Sequence, residues 1–270
     1  MPLPHPSGSD VIDPVALRGA AGLGTIDLLA EAESTMDRAR DLAADPAITT
    51  PALVVADPQT ASRGRRLPVG WQPPGSLVAS LVLQAQTDGD RPQPCWSLAC
   101  GIALAESIHD LVTGVRPGLK WPNDVEVAGR KLAGILVETA PGGRVVIGLG
   151  VNTSGTAADA PPALRDRLVT VPDLVGTTLP RQSLVAAFVP RLVSLVEEIA
   201  TDPATLARRY RPLCTLFGTE VRVFSGPRLV VGRCQGVAAD GGLIVETAAG
   251  TAVIHAGSLS PPGGEWRGPG

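Results

Sequence analysis

The chain has 270 residues, a formal net charge of −3 and a hydrophobic fraction of 44%. This length and composition are those of a folded globular protein with one large domain or two modest ones around a buried core. With a sequence pI of about 5.6, the chain has no global electrostatic reason to bind nucleic acid or an anionic membrane, and we expect neither partner.

Four cysteines and three histidines are too scattered to suggest a metal site, because no Cys-x-x-Cys pair occurs. We therefore expect no zinc site and no disulfide framework, with the thiols reduced in a cytoplasmic protein. The N-terminus lacks the basic and apolar stretches of a secretory signal, and no run of about 18 apolar residues predicts a membrane span.

In chain order, residues 1–24 are predicted to form a flexible arm with one helical turn near 15–20. Helical spacing of apolar residues predicts helices at 34–44, 96–112, 184–199 and 203–213. Short apolar runs predict strands at 52–56, 76–84, 119–121, 125–127, 132–139 and 145–151. The stretches 59–75 and 155–179 show no clean period and are predicted to be loops.

After Phe217 the pattern changes to short β-type runs separated by Gly-rich turns, at 220–224, 229–236, 243–247 and 251–255. Such spacing predicts a small all-β barrel. The sequence thus predicts a flexible arm over 1–24, an α/β catalytic domain over 25–216 and a C-terminal β domain over 217–265.

The first candidate for chemistry is the arginine-rich loop Gln59-Thr-Ala-Ser-Arg-Gly-Arg-Arg66. Guanidinium groups donate paired hydrogen bonds to carboxylate or phosphate, so this loop could close over a polyanionic ligand. A solvated basic loop or a nucleic-acid patch is the alternative interpretation.

The second candidate is the pair of runs Lys120-Trp-Pro-Asn-Asp124 and Gly129-Arg-Lys-Leu-Ala-Gly-Ile-Leu-Val-Glu138, which contain both lysines of the chain. These runs could simply form a turn and a hairpin. However, Asp124 offers an anion for a metal or an amine, and Lys131 offers a cation for carboxylate or phosphate. Gly134 within an apolar strand indicates close approach of a ligand or another backbone.

The run Gly148-Leu-Gly-Val-Asn152 ends the next predicted strand. By itself it indicates only a tight strand end, because the dinucleotide-binding fingerprint fails to continue beyond it. The chain also lacks a Walker-type phosphate loop and a Gly-x-Ser-x-Gly nucleophile elbow.

In combination and in this order, these motifs resemble those of the biotin–protein ligase family, and the Ser34-Thr35 pair fits that family's Ser-Thr-Asn segment. The resemblance covers about residues 30–155. It implies an α/β (α+β) fold with a mixed, largely antiparallel sheet and helices, as in class II synthetase-like biotin and lipoate ligases. It also implies that the C-terminal module is a small SH3-like β-barrel.

The resemblance further implies a ligase that forms a carbon–nitrogen bond. Such enzymes condense biotin with ATP, accompanied by Mg²⁺, to biotinyl-5′-AMP, and then transfer biotin to one lysine of a biotin carboxyl carrier domain of an acyl-CoA carboxylase. Lys131, Arg65 and Asp124 would be catalytic. Any Mg²⁺ near Asp124 would be bound together with ATP and not by a set of protein ligands alone.

The remaining roles are likewise carried over from the resemblance. Residues that would bind biotin are Ser34, Thr35, Gln59, Arg63, Gly64, Arg65, Lys131 and Gly134. Residues that would bind ATP or the adenylate are Arg65, Arg66, Trp71, Asn123, Asp124, Lys131 and Asn152.

The sequence departs from the family pattern in three respects. Ser62 and Leu67 replace loop glycines, Met36 stands where Asn is common, and the motifs begin too early to leave room for the N-terminal DNA-binding domain of regulatory members. We therefore expect the monofunctional type. A lipoate or octanoyl ligase of the same fold and a non-catalytic biotin-binding protein are the alternatives, and monomer and homodimer are both open.

Overall fold

The computed structural model describes residues 10–56, 71–85 and 94–260. The helices are α1 (Pro14–Ala21), α2 (Thr35–Ala44), α3 (Pro94–Leu111), α4 (Pro162–Arg165), α5 (Val171–Val175), α6 (Arg181–Thr201) and α7 (Ala204–Tyr210). The strands of the large sheet are β1 (Thr25–Leu29), β2 (Ala52–Ala56), β3 (Leu77–Gln84), β4 (Gly118–Lys120), β5 (Asp124–Val127), β6 (Arg130–Ala140) and β7 (Arg144–Val151). Those of the small sheet are β8 (Glu220–Ser225), β9 (Arg228–Val237), β10 (Leu243–Thr247), β11 (Gly250–Ile254) and β12 (Ser258–Leu259).

The large sheet has the strand order β1-β2-β3-β7-β6-β5-β4. Its β1–β2 pair is parallel and all its other pairs are antiparallel. The small sheet is antiparallel, with the order β11-β10-β9-β8-β12. These observations confirm the predicted mixed, largely antiparallel α/β fold with a C-terminal β module.

The main core lies on one face of the large sheet, where α3 packs on β4, β5 and β6 and is in turn covered by α6 and α7. Alternation along β3 and β7 sends Leu81, Ile147 and Leu149 into this core, and all three are at most 4% exposed. Burying each such side chain contributes about 1.5–3 kcal/mol. The same alternation turns the intervening residues of both strands to the opposite face.

Helix α2 covers part of that opposite face. Its residues Met36, Ala39 and Ala43 recur at helical spacing and pack on Val54 and Val82 in a second, smaller cluster. The helix ends just before Asp45, as predicted from the proline that follows. The rest of this face carries the candidate site.

Residues 10–24, predicted to belong to a flexible arm, are instead packed. Asp13 caps α1 by accepting from the N–H groups of Val15 and Ala16, and Leu17 is fully buried. Asp10 forms an ion pair with Arg181 of α6, with an Nε–Oδ2 distance of 2.8 Å. Residues 1–9 lie outside the described part of the chain.

Other differences concern short elements. Strand β1 was not predicted, because it lies at the sheet edge and its residues are only partly buried without a clear alternation. The predicted loop 155–179 contains α4 and α5, each a single turn. Among the described residues, no helix combines the length and hydropathy that a membrane crossing requires.

The two sheets share one hydrophobic core. Val221, Val223 and Leu243 of the small sheet belong to the same buried cluster as α3 and the large sheet. The buried indole of Trp121 also donates a hydrogen bond from Nε1 to the carbonyl oxygen of Gly241, at 3.2 Å.

Candidate active site

Three glycines share the open face of the large sheet. Gly148 and Gly150 are two residues apart on β7 and therefore point the same way. Gly150 is the register partner of Gly134 on β6, and Gly148 is the partner of Ser80 on β3. The two strands therefore contribute no side chains of their own at these three positions, which leaves a shallow trough across β6 and β7.

A β-bulge places Lys131 beside this trough. Gly134 pairs with Asp124, but Glu126 pairs with Lys131, so one extra residue of β6 lies between the two pairings. In a regular strand, residues 131 and 134 would face opposite sides, whereas the bulge brings both to the same face. A Cβ atom at Gly134 would lie 2.9 Å from the Lys131 ammonium, so the lysine needs this glycine.

Lys131 and Asp124 form an ion pair with an Nζ–Oδ1 distance of 2.6 Å. Their side chains are 38% and 29% exposed, respectively, so both groups can reach a ligand in the trough. The structure thus brings together the cation and the anion that the two sequence motifs predicted to carry chemistry.

The turn between β4 and β5 is held by hydrogen bonds to the neighbouring strand and helix. The Asn123 side chain donates from Nδ2 to the Ile135 carbonyl at 2.9 Å, and the Ile135 N–H donates to the Asn123 carbonyl at 3.0 Å. Ser97 of α3 donates to the Pro122 carbonyl at 2.9 Å. Asn123 therefore fixes the turn that presents Asp124.

The start of α2 forms the opposite wall of the trough. Ser34 and Thr35 are buried, and the Ser80 hydroxyl donates to the Thr35 hydroxyl at 2.9 Å. Met36 lies over Gly148, where a Cβ atom would come within 2.6 Å of its sulfur. The departure from the common Asn at position 36 therefore puts a thioether against the glycine that faces it.

Asn152 has a largely structural environment. Its side chain is buried and donates to the Val169 carbonyl at 3.0 Å and, at 3.5 Å, to the Lys131 carbonyl. The Lys131 N–H in turn donates to the Arg167 carbonyl at 2.8 Å. These bonds hold the backbone of Lys131 against the segment before α5.

The predicted loop residues Gln59, Arg63, Gly64, Arg65 and Arg66 lie outside the described residues. Immediately after this gap, Trp71 is partly exposed. The amide of Gln72 extends over β7, since a Cβ atom at Gly150 would overlap its Nε2.

Sequence reasoning missed several site residues. Gly148 and Gly150 were noted only as a strand end, although their spacing of two on a strand was a signal that they share a face. Ser80 and Gln72 carried no local signal. Glu126, whose carboxylate lies 3.0 Å from the Lys120 ammonium, was read only as part of a strand.

A buried polar cluster lies behind β4. Tyr210 donates from its hydroxyl to the Leu119 carbonyl at 3.4 Å, and burial raises the pKa of this phenol well above its usual value. A hydrogen bond from the Cys234 thiol lowers the pKa of Cys214 to about 7. Tyr210 is therefore a neutral donor that supports the strand ending in Lys120.

Taken together, the site offers a trough floored by three glycines, over which Lys131, Met36 and Gln72 extend. Buried hydroxyls lie at one end of this trough and a paired lysine and carboxylate at the other. This arrangement suits a ligand with a polar ring system and an anionic group, laid across the strands. Within the described residues, no group of three or more His, Cys, Asp or Glu side chains could hold a metal ion.

Comparison with known proteins places this chain in a class. A model of the biotin/lipoate A/B protein ligase family matches residues 29–152. The chain is 31% identical over 249 residues to a biotin–[acetyl-CoA-carboxylase] ligase of Mycobacterium tuberculosis, covering 88% of this chain and 90% of that protein.

Two further similarities agree with this class. A biotin–[acetyl-CoA-carboxylase] ligase of Paracoccus denitrificans is 38% identical over 139 residues, covering 49% of this chain and 56% of that protein. The structure of a biotin protein ligase from Aquifex aeolicus, in complex with biotin and ATP, superimposes with a TM-score of 0.74 at 24% identity, covering 87% and 97% of the two chains. The chain belongs to the biotin protein ligase family.

Proposed function

We propose that this protein is an ATP-dependent biotin–protein ligase. It forms biotinyl-5′-AMP from biotin and ATP and then transfers biotin to a lysine of a carrier protein. The single observation that carries the proposal is the Lys131–Asp124 pair at the edge of the glycine trough, in a chain that belongs to this family.

The first half-reaction joins two anions. A biotin carboxylate oxygen attacks the α-phosphorus of ATP, and the bond from that phosphorus to the bridging oxygen of the β-phosphate breaks to release pyrophosphate. The ammonium of Lys131 would bridge the carboxylate and the α-phosphate, which offsets their repulsion and the charge that develops in the transition state. No covalent enzyme intermediate is needed.

In the second half-reaction, the amine of the acceptor lysine attacks the biotinyl carbonyl. A carbon–nitrogen bond forms, the carbonyl–phosphate bond breaks, and AMP leaves while the amine loses a proton. Asp124 is the carboxylate at this edge of the trough, and it would serve the nucleotide or the incoming amine.

The other roles are proposed from the family resemblance, and the hydrogen bonds of Asn152 support its part. Ser34, Thr35 and Gly134 would contact biotin, Trp71 and Asn123 would lie toward the nucleotide, and Asn152 would act mainly by holding the Lys131 backbone. The residues assigned to the arginine-rich loop are Gln59, Arg63, Gly64, Arg65 and Arg66, which would close over biotin and adenylate.

Magnesium and the acceptor belong to the same proposal. Mg²⁺ is commonly bound by one or two carboxylates together with substrate phosphates, and Asp124 fits that limited requirement.

Because two relatives are named as ligases of acetyl-CoA carboxylase, we propose the biotin carboxyl carrier domain of an acyl-CoA carboxylase as the acceptor, in the cytoplasm.

Biotin transfer to such a carrier domain tests the proposal. The purified protein is incubated with the carrier domain, ATP, Mg²⁺ and biotin, and the product is detected with labelled streptavidin. We expect labelling that requires both ATP and biotin and that is lost when the acceptor lysine is replaced by arginine. Failure to label the intact carrier domain would contradict the proposed acceptor.

A further inference from the structure

A second lysine–carboxylate pair lies beside the first. Lys120, at the end of β4, and Glu126, on β5, approach to 3.0 Å between Nζ and Oε1. Lys120 is the register partner of Asp124, and Glu126 is the partner of Lys131. All four side chains therefore share one face, and each of the two lysines of the chain has its own carboxylate.

Glu126 differs from Asp124 in its burial. Its side chain is only 8% exposed, and it is the only acidic residue buried in the part of the chain that the structure describes. A buried carboxylate is costly unless it is paired. Lys120 is the partner, and at 38% exposure its ammonium stands between this carboxylate and the open face.

The position of Lys120 along the sheet indicates which charge it would meet. The buried hydroxyls of Thr35 and Ser80 lie at β3, Lys131 lies on β6, and Lys120 lies on β4, two strands further out. With strands about 4.8 Å apart, the two lysines are on strands separated by roughly 10 Å. A ligand with its ring near β3 and its carboxylate at Lys131 therefore extends toward Lys120.

Phosphoryl transfer sets the direction of the leaving group. The attacking and leaving oxygens are roughly in line across the phosphorus, so pyrophosphate departs on the side away from the biotin carboxylate. For a ligand with its ring near β3 and its carboxylate at Lys131, that side is β4. As the bond from the α-phosphorus to the bridging oxygen breaks, its electron pair goes to pyrophosphate, and a fixed cation there offsets the new charge without a proton transfer.

We propose that Glu126 is a positioning residue that fixes the Lys120 ammonium as the cation for the leaving pyrophosphate of ATP. The inference rests on the proposed function and deepens it. It assigns the two lysines to different parts of one reaction, with Lys131 at the carboxylate and α-phosphate and Lys120 at the β- and γ-phosphates. It also implies that the Glu126–Lys120 pair matters for adenylation and not for transfer.

The test separates the two half-reactions in the full-length protein. For Glu126→Gln we expect biotin-dependent ATP–pyrophosphate exchange to fall by about tenfold or more, with KM rising for ATP and not for biotin. Transfer from pre-formed biotinyl-5′-AMP to the carrier domain should stay within about twofold of wild type, because pyrophosphate takes no part in it. Glu126→Asp keeps the negative charge but, being one methylene shorter, holds it further from Lys120, and it should recover part of the exchange activity.

A double-mutant comparison shows whether Glu126 acts through Lys120. Lys120→Met should lower exchange at least as far as Glu126→Gln, and the double variant should be no worse than Lys120→Met alone. Glu138→Gln is the matched control, because it removes a carboxylate of β6 that pairs with Arg40 at 2.9 Å. It should leave exchange unchanged, and thermal unfolding of every variant reports on folding.

The outcomes are distinguishable. If wild type exchanges pyrophosphate and Glu126→Gln matches it, or if exchange and transfer fall equally, the inference is overturned while the proposed function stands. Additive losses in the double variant would overturn it as well. Absence of biotin-dependent exchange in wild type would overturn the proposed function and this inference together.

Discussion

At the scale of single residues, the proposed chemistry depends first on Lys131. Replacing it by alanine removes an ammonium that is only partly buried, so we expect an intact fold and an adenylation rate at least ~10²-fold lower, the usual effect of losing a transition-state charge contact. Biotin-dependent pyrophosphate exchange measures this loss, and thermal unfolding provides the folding control. Turnover close to wild type would contradict the role assigned to Lys131.

A second residue-scale prediction concerns Cys214. Because a hydrogen bond from the Cys234 thiol lowers its pKa to about 7, its reactive thiolate should form as the pH rises through about 7 rather than about 9. Mass spectrometry after brief iodoacetamide treatment at a series of pH values measures the modification rate. Cys100 should resist modification, since it is buried and burial raises the pKa of its thiol.

The control for Cys214 is Cys234→Ala, which removes the hydrogen-bond donor. In this variant the midpoint of the Cys214 profile should move up toward 9.0, the ordinary thiol value. A wild-type midpoint already near 9.0, or one that Cys234→Ala leaves unchanged, would contradict the hydrogen-bond explanation.

The sequence identifies the residues that could carry chemistry, but it does not show that they lie together on one face of the sheet. Lys131, Asp124 and Gly134 stand out in the motifs, yet plain alternation would place Lys131 and Gly134 on opposite faces. The bulge between the pairings of Val125 and Glu126 reverses this, and no local pattern predicts it. Likewise, nothing in the neighbourhood of Glu126 indicates that its side chain is buried.

At the scale of elements, the trough exists because glycines recur on adjacent strands. Gly134→Ala would place a Cβ atom 2.9 Å from the Lys131 ammonium, so the lysine must move away from Asp124. We expect exchange activity to fall about tenfold or more with little loss of stability, since the end of a lysine side chain can shift. Pyrophosphate exchange and thermal unfolding provide the two measurements.

Gly19→Ala is the matched control for this substitution. Gly19 lies within α1, and a Cβ atom added there would meet no atom within 4 Å. It should tolerate alanine with unchanged exchange and about 0.5–1 kcal/mol of added stability. Equal activities of the two alanine variants would show that the trough does not require a glycine at position 134.

Most elements were predictable because their periodicity is strong. The long helices α3 and α6 and the strands β6 and β7 have continuous apolar patterns, and the structure has them within a few residues of the predicted bounds. Strand β1 was not predicted, because parallel pairing with β2 stabilises it. The helical turn near 15–20 was predicted and corresponds to α1, but its packing on α6 was not, because it depends on a tertiary contact.

At the scale of the whole molecule, the predicted C-terminal module forms a separate sheet that packs into the same core as the large sheet. Their shared core and the bond from Trp121 to Gly241 lead us to expect one cooperative unfolding transition. Calorimetry of the full chain measures it, and two separated transitions would contradict the expectation. The spacing of strands predicts a β module after Phe217 but does not show what that module packs against. The domain boundary at 216/217 and the SH3-like barrel both remain predictions.

The central claim is that this face of the sheet activates biotin with ATP. Biotin-dependent ATP–pyrophosphate exchange by the purified protein tests it most directly, with lipoate in place of biotin as the control. The account predicts rapid exchange with biotin and little with lipoate. Exchange with lipoate alone would instead identify a lipoate ligase, and binding of biotin without any exchange would contradict the catalytic function.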